Sequence, residues 1–354
     1  MTQHLDKVEK VLGSKPLSEI GITLTHEHVH LDFNEFYVPP PTNLQSFLDN
    51  KINLKNVGYI KQYPYSNKYN LTFNDVDSAQ AVIEDVKLFR TFGGGTIVEN
   101  SNHGLNRNIP LMIKISEKTG VNIIAGTGYY VANVQNASTL KTTEEEMYNV
   151  MHTELQKGCI DYPEIKAGFI GEVGSSWPIT DFEKRAIRAT GQVQEQLHCS
   201  VSFHPGRNKA APSEIIRLYQ EAGGNARKAI MSHVERTLPD AEAIIEFVKA
   251  VACYCQFDLF GTECSFYQLN PMFDMPSDAQ RIKYIARLKE EKQLHRVLLS
   301  HDIHTKHRLT TFGGHGYSHI VSNIVPILKN KHFTTEEIEL LTVENPRTWL
   351  NQRL

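Results

Sequence analysis

The chain has 354 residues, of which 40% are hydrophobic and 22% are charged, and its formal net charge is -3 at pH 7. This composition is ordinary for a globular enzyme, and the nearly balanced charge argues against a protein that binds nucleic acid or an anionic membrane. No apolar run approaches the ~20 residues that a transmembrane helix needs, and the N-terminal residues do not read as a secretion signal. We therefore expect a cytoplasmic protein.

Short β-like runs alternate with longer helix-like segments along the chain. In order, the runs are GITLTHEH, GGTIVEN, VNIIAGTG, AGFIGEVG, SVSFH, AIMSHVE, ACYCQFDLF and RVLLSHD. Between them apolar residues recur at helical spacing, as at Val82, Val86 and Phe89, and two later helical segments open on an Asp or Ser that could serve as N-cap. Eight strand–helix units imply a parallel sheet, and they predict a single α/β domain over residues 1–354, a (β/α)8 TIM barrel.

Two segments fall outside this alternation. Residues 1–20 include KVEKVLGSKPLSEIG, which predicts a short N-terminal hairpin at the bottom of the barrel. Residues 31–75 form a long insertion after the first strand, and it contains four tyrosines, Tyr59, Tyr63, Tyr65 and Tyr69. Because long loops in compact domains are usually functional, we expect this insertion to act as a lid or a binding segment.

Histidines and acidic residues stand where several predicted strands end. His26 and His28 alternate along the first strand and so share a face, whereas Glu27 points to the other face. Two imidazoles placed in this way can reach one metal ion. Four other strands lead to a single residue of the same kind, namely Glu172, His204, His233 and Asp302. Since the C-terminal strand ends of a barrel meet at one mouth, we expect all six side chains to form one site, with helix capping or loop anchoring as the alternative role.

This order of residues resembles the amidohydrolase superfamily and, within it, the phosphotriesterase-like group. The resemblance rests on HxH in the first strand, a bridging residue in the fourth, histidines in the fifth and sixth, and an Asp in the eighth. It runs nearly end to end, through LTHEHVHLDF, GEVGSSWPIT, FHPGR, SHVERT and TVENPRTWL. These motifs are most similar to those of animal members of the group.

The resemblance implies a binuclear metal centre. The ligands that it implies are His26, His28 and Asp302 for the more buried ion, His204 and His233 for the more exposed ion, and Glu172 together with a hydroxide as the bridge. Many relatives use a carboxylated lysine as the bridge; Lys166 lies before the strand, so Glu172 is the candidate here. Zinc (Zn²⁺) suits imidazole and carboxylate ligands, with manganese, cobalt and iron as alternatives. We expect hydrolysis, in which Asp302 takes a proton from the hydroxide and passes it to the leaving group.

The resemblance also implies the class of substrate. It indicates cleavage of the amide bond of small N-acylated amino compounds, N-acetyltaurine in particular and N-acetyl amino acids in addition. A lactonase or phosphoesterase on the same metals is the alternative activity, and a non-catalytic scaffold is the third hypothesis. A homodimer stays open, because related barrels often dimerise.

An anionic amide needs a cationic partner in the pocket. We expect Arg236 in HVERT to be that partner, with Arg207 or the basic run Lys306, His307 and Arg308 as alternatives. Asn100 and Tyr129 follow the second and third strands, where they are expected to line the pocket or to support it. Two further residues are expected to play supporting roles: Asp258 to orient a ligand histidine, and His30 to stabilise a loop.

Overall fold

The computed structural model describes residues 7–264 and 266–351. In that part of the chain, eight parallel strands form one sheet in sequence order: β1 (Ile22–Glu27), β2 (Gly94–Glu99), β3 (Asn122–Thr127), β4 (Phe169–Gly174), β5 (Val201–His204), β6 (Ala229–Met231), β7 (Tyr254–Phe257) and β8 (Val297–Leu299). The chain after β8 returns to β1, where the backbone N–H of Asp302 donates to the carbonyl of His26 at 3.1 Å. The sheet is therefore a nearly closed barrel, and the predicted fold class is confirmed.

A helix follows each barrel strand. These helices are α1 (Val76–Thr91), α2 (Ile109–Thr119), α3 (Glu144–Gln156), α4 (Asp181–Leu197), α5 (Ala211–Glu221), α6 (Ala241–Val251), α7 (Asp278–Glu290) and α8 (Val325–Asn330), the last preceded by a π-helical turn at Ile320–Ile324. A short helix, Val234–Thr237, precedes α6, and the segments Thr335–Glu339, Leu340–Glu344 and Asn345–Leu350 follow α8.

The predicted helix starts are present. Asp240 caps α6 by accepting a hydrogen bond from the N–H of Ala243, and Ser277 forms a capping box with Gln280 at the start of α7. Each cap satisfies backbone N–H groups that have no partner inside the helix. Across residues 7–264 and 266–351, none of the helices combines the length and the apolar character needed to cross a bilayer.

The N-terminal end of the barrel is covered by a hairpin and by the last helix. Strands Lys7–Lys10 and Gly13–Pro16 pair in antiparallel fashion, and the N–H of Val11 donates to the carbonyl of Ile123 at 2.9 Å. An apolar cluster joins this end of the molecule to residues inside the barrel: Val8, Leu17, Ile20, Ile124, Phe169, Ile230 and Trp349. Burying this surface stabilises the end opposite the predicted site. Residues 1–6 of the predicted N-terminal segment lie outside the described residues.

The insertion after β1 is an ordered set of short elements. Leu31–Asp32 pairs with Thr72–Phe73 in antiparallel fashion, and the short helices Gln45–Leu48, Val57–Gln62 and Lys68–Leu71 lie between these strands. Its residues 61, 62, 64 and 65 line the cavity at the C-terminal end of the barrel. Of its four tyrosines, Tyr65 reaches this cavity, whereas the hydroxyl of Tyr69 donates to Asp77 at 2.8 Å.

Candidate metal centre

Four of the six predicted ligands meet where the chain leaves β1, β4 and β8. Nε2 of His28 lies 3.2 Å from Oδ1 of Asp302 and 3.4 Å from Oε1 of Glu172. Nε2 of His26 lies 3.6 Å from Oε2 of Glu172 and 3.7 Å from Oδ1 of Asp302. The alternation along β1 produces this arrangement, because Glu27 points away and pairs instead with His301.

The other two predicted ligands approach the same glutamate from β5 and β6. Oε2 of Glu172 is 2.9 Å from Nδ1 of His204 and 3.5 Å from Nε2 of His233. These two imidazole nitrogens are themselves 2.9 Å apart. Glu172 therefore lies between two groups of nitrogen ligands, as a bridging carboxylate would.

The residues fit a pair of divalent cations. All six side chains are buried, and Nε2 of His26 has no hydrogen-bond partner among the described residues. A buried nitrogen without a partner costs about 1–3 kcal/mol, and a cation placed among these groups would satisfy it. Imidazole nitrogens with carboxylate oxygens are the ligands of zinc and similar ions.

Hydrogen bonds to the second ring nitrogen fix the orientation of these histidines. Three of the four are held through Nδ1: His26 at 3.1 Å from Oγ of Ser232, His28 at 3.0 Å from Oγ of Ser101, and His233 at 2.6 Å from Oδ1 of Asp258. Such contacts leave Nε2 available and raise its basicity. The sequence indicated Asp258 for this purpose, but neither serine could be recognised from its neighbours in the chain.

The charges of the site keep its two carboxylates ionised. Burial would raise the pKa of Glu172, but the nearby His26 and His204 hold it well below its usual range. Burial would likewise raise the pKa of Asp302, but His304 and His28 hold it well below. Both groups are anionic at neutral pH, so Glu172 needs no added carboxyl group to serve as a bridge.

Two of the candidate ligands have left-handed backbone conformations. His233 has φ 54° and Asp302 has φ 53°, in a region that non-glycine residues seldom occupy. Each is held by a hydrogen bond that its own N–H donates: His233 to Oδ1 of Asp258 and Asp302 to the carbonyl of His26, both at 3.1 Å. Strain of this kind costs about 1–3 kcal/mol per residue and clusters at functional sites.

A cavity of about 520 Å³ opens over these residues. This volume is within the range of small-molecule sites, roughly 300–1,000 Å³. Part of its wall is apolar or aromatic and part is cationic. The apolar and aromatic part includes Leu31, Phe33, Leu105 and Tyr130, and the cationic part includes Arg207 and Arg236.

The candidate partners for a substrate anion differ in their positions and in the contacts that they already make. Arg236 and Arg207 both line the cavity. Arg308 lines the cavity as well, but it donates to the backbone carbonyls of Asp302 and Phe260. Lys306 forms an ion pair with Asp75, so both of these side chains already have partners. The ring of His307 is hydrogen-bonded to the side chain of Asn70.

Asn100 and Tyr129 do not have the position expected of pocket residues, since neither is among the described residues that line the cavity. The amide nitrogen of Asn100 donates to the carbonyls of Thr25 and Val98 inside the barrel, at 3.2 and 3.0 Å. The ring of Tyr129 packs against Phe182, with ring centroids 6.1 Å apart.

Tyr130 takes the place predicted for its neighbour. Gly128, with φ 118°, lies directly after β3, and Tyr130, not Tyr129, lines the cavity beyond it. The hydroxyl of Tyr130 lies 3.3 Å from Nδ1 of His204. His30, in contrast, contacts the carbonyl of Asn106 at 2.9 Å and supports a loop, as expected.

Comparisons with known proteins agree with this geometry. The sequence model of the phosphotriesterase family matches residues 6–350. The phosphotriesterase-related protein of Aedes aegypti is 52% identical over 95% of this chain and 96% of its own length. That of Drosophila melanogaster is 49% identical over 98% of this chain and 99% of its own length.

Solved structures share the architecture. A resiniferatoxin-binding protein from Rhodobacter sphaeroides superposes with a TM-score of 0.91 at 27% identity, covering 98% of this chain and 95% of the other. The phosphotriesterase homology protein from Escherichia coli, complexed with phosphate in its active site, gives a TM-score of 0.75 at 24% identity and covers 94% of this chain and 99% of its own. The second likeness supports the fold alone.

Proposed function

Because the chain belongs to the phosphotriesterase family, whose members are metal-dependent hydrolases, we propose that it cleaves the amide bond of small N-acylated amino compounds that carry an anionic group. N-acetyltaurine is the first candidate substrate, and N-acetyl amino acids are the next. The observation that carries this proposal concerns Arg207 and Arg236 in the cavity wall, which have no carboxylate of the described residues within ion-pair distance. Arg308 also lines the cavity, but its guanidinium is bound to backbone carbonyls.

Unpaired cations in a largely enclosed cavity are costly unless a ligand pairs with them. Arg236 is 3% exposed, and the neighbouring groups that it contacts are an imidazole, a hydroxyl and a carbonyl, none of which carries a full negative charge. A sulfonate or carboxylate on the substrate would supply the missing charge through charge-assisted hydrogen bonds. A neutral substrate would leave both arginines unpaired.

The residues around the reacting bond have separate tasks in this proposal. Two divalent cations, when bound, supply a nucleophilic water at neutral pH and polarise the acyl oxygen. Oδ1 of Asp302 faces His28 at 3.2 Å, and Oδ2 lies 3.3 Å from Nδ1 of His304. From there Asp302 can accept a proton from the attacking water and return it to the departing nitrogen, so that amide and water become a carboxylate and a free amine.

A lactonase or phosphoesterase is the second candidate. It is favoured by the apolar part of the wall, where Leu31, Phe33 and Leu105 would suit a neutral ring or an ester chain. The two candidates differ in their need for a cation, because a neutral ester has no charge to pair with an arginine.

A hydrolysis screen of metal-loaded protein tests the proposal. We expect turnover of N-acetyltaurine or N-acetyl amino acids to exceed that of lactones and phosphotriesters. At equal metal content, Arg236→Met should raise KM for the anionic amide more than KM for a lactone, because Arg236 also contacts Nε2 of His204; Arg227→Met, at an exposed position, serves as the control. Activity confined to lactones and phosphotriesters would contradict the amide assignment.

A further inference from the structure

Arg207 and Arg236 line one cavity, but their guanidinium groups are engaged to different degrees. Nη2 of Arg236 contacts Nε2 of His204 at 3.1 Å and donates to the carbonyl of Pro205 at 3.2 Å, and Nη1 donates to Thr237 at 3.3 Å. The Nε–H of Arg207 donates to the hydroxyl of Tyr267 at 2.7 Å. Among the described residues, the terminal nitrogens of Arg207 have no hydrogen-bond partner. Arginine has five N–H donors, so four of those of Arg207 remain for a ligand.

Tyr267 fixes the position of that guanidinium. It is 5% exposed, and its ring centroid lies 5.5 Å from the central carbon of the Arg207 guanidinium. Its hydroxyl oxygen accepts from Arg207, and its own hydrogen has no acceptor within the part of the chain that the structure describes. The phenol therefore both holds Arg207 and offers a further donor next to it.

Both arginines act on the same side of the cavity. Burial would raise the pKa of Tyr267, but the positive charges of Arg207 and Arg236 lower it below its ordinary value. Tyr267 also lines the cavity, as do both arginines. The donors of Arg207 and Tyr267 are thus adjacent in the wall, and Arg236 is near enough to act on Tyr267 through its charge.

We propose that Arg207, positioned by Tyr267, is the main binding group for the anionic end of the substrate, and that Arg236 is the secondary cation. The planar fork of a guanidinium binds two oxygens of one anion at once, which suits a sulfonate or carboxylate carried by the amine half of the amide. This inference rests on the proposed function, because it assumes that the anion belongs to an amide substrate.

Direct binding of small anions tests the inference without turnover. Dissociation constants for propane-1-sulfonate and for butyrate are measured by isothermal titration calorimetry on metal-loaded protein, and the two ligands distinguish a sulfonate site from a carboxylate site. We expect Arg207→Met to weaken the better ligand roughly 10–100-fold, and Arg236→Met to weaken it less. The control Arg227→Met should bind as the parent protein does. Arg207→Lys should be intermediate, because it keeps the charge and loses the fork.

Tyr267→Phe tests the positioning role. Removing the hydroxyl frees Arg207 without removing its charge, so KM for the anionic amide should rise severalfold while kcat stays near the parent value. If Tyr267 only stabilised the fold, Tyr267→Phe would lower the melting temperature. It would then leave unchanged the ratio of kcat/KM for N-acetyltaurine to kcat/KM for a neutral ester. Metal content is measured for every variant, so that loss of ions is not mistaken for loss of the anion site.

The outcomes separate this inference from the proposed function. If N-acetyltaurine is not hydrolysed but Arg207→Met still weakens propane-1-sulfonate, the amide assignment fails and the anion site stands. If N-acetyltaurine is hydrolysed and Arg207→Met leaves both KM and anion binding unchanged, the anion site fails. Failure of the parent protein to bind either anion, or a larger loss with Arg236→Met than with Arg207→Met, would also overturn it.

Discussion

Replacing Glu172 by Gln removes one charge and keeps the shape of the side chain. Its carboxylate oxygens lie within 3.6 Å of ring nitrogens of four histidines, with separations of 3.6, 3.4, 2.9 and 3.5 Å. The candidate ligands carry two negative charges, on Glu172 and Asp302. Glu172→Gln therefore halves the negative charge available to balance two divalent cations. The amide oxygen can still approach one cation, but its NH₂ group would face the other.

The size of the effect follows from losing one partner of a buried charge cluster. Such a loss typically costs about 3–5 kcal/mol. At about 1.4 kcal/mol per tenfold change, metal binding should weaken roughly a hundred- to a few-thousand-fold. We expect the number of bound ions to fall below two per chain and hydrolysis to be abolished.

Metal content measured by mass spectrometry after equilibration in a zinc buffer provides the assay, with chelator competition for the affinities. Glu145→Gln, which removes one charge from an exposed position in the first turn of α3, is the matched control and should keep two ions. Full activity of Glu172→Gln, or two ions bound at the parent affinity, would refute the bridging role of Glu172.

Three further predictions concern the groups that support the site and the fold. Asp258→Asn removes the charge that holds Nδ1 of His233 and should weaken metal binding roughly 10–100-fold, as measured by chelator competition; an unchanged affinity would show that this contact does not matter. Ser101→Ala, which removes a neutral partner of His28, should have a smaller effect than Asp258→Asn, and the reverse order in the same titration would contradict this explanation. Burial would raise the pKa of Glu154, but neighbouring histidine and arginine side chains hold it well below its usual range. Its contribution to stability is therefore complete above the unfolded pKa of about 4.3 and is lost as the pH falls below that value. The melting-temperature difference between the parent protein and Glu154→Gln should shrink as the pH is lowered from about 6 to about 3, and a constant difference would be inconsistent with this linkage.

The positions of the candidate ligands followed from rules that hold within regular structure. Alternation along a strand placed His26 and His28 together and Glu27 on the other face. The topology of a parallel barrel brought the ends of β4, β5, β6 and β8 to the same mouth. For these features the sequence was sufficient, because side chains alternate regularly between the two faces of a strand.

Which side chains line the cavity depends on backbone geometry beyond the ends of the strands, which the sequence does not reveal. Tyr130 lines the cavity in place of Tyr129, and both follow Gly128, which has a positive φ directly after β3. Asn100 follows β2 but turns into the barrel, where carbonyl groups accept its amide hydrogens.

The supporting hydroxyls could not be found from local sequence at all. Ser101 lies 73 residues from His28, and Ser232 lies 206 residues from His26. These contacts arise from tertiary packing, and the serine itself is too common a residue to indicate them. Tyr267, on the connection between β7 and α7, was missed for the same reason, since its partner Arg207 is 60 residues away.

Anomalous diffraction from crystals of the zinc-loaded protein would test the central claim most directly. Two peaks should appear at the C-terminal end of the barrel, one among His26, His28 and Asp302 and one between His204 and His233, with Glu172 in contact with both. A single peak, or none at this position with zinc in excess, would contradict a binuclear centre.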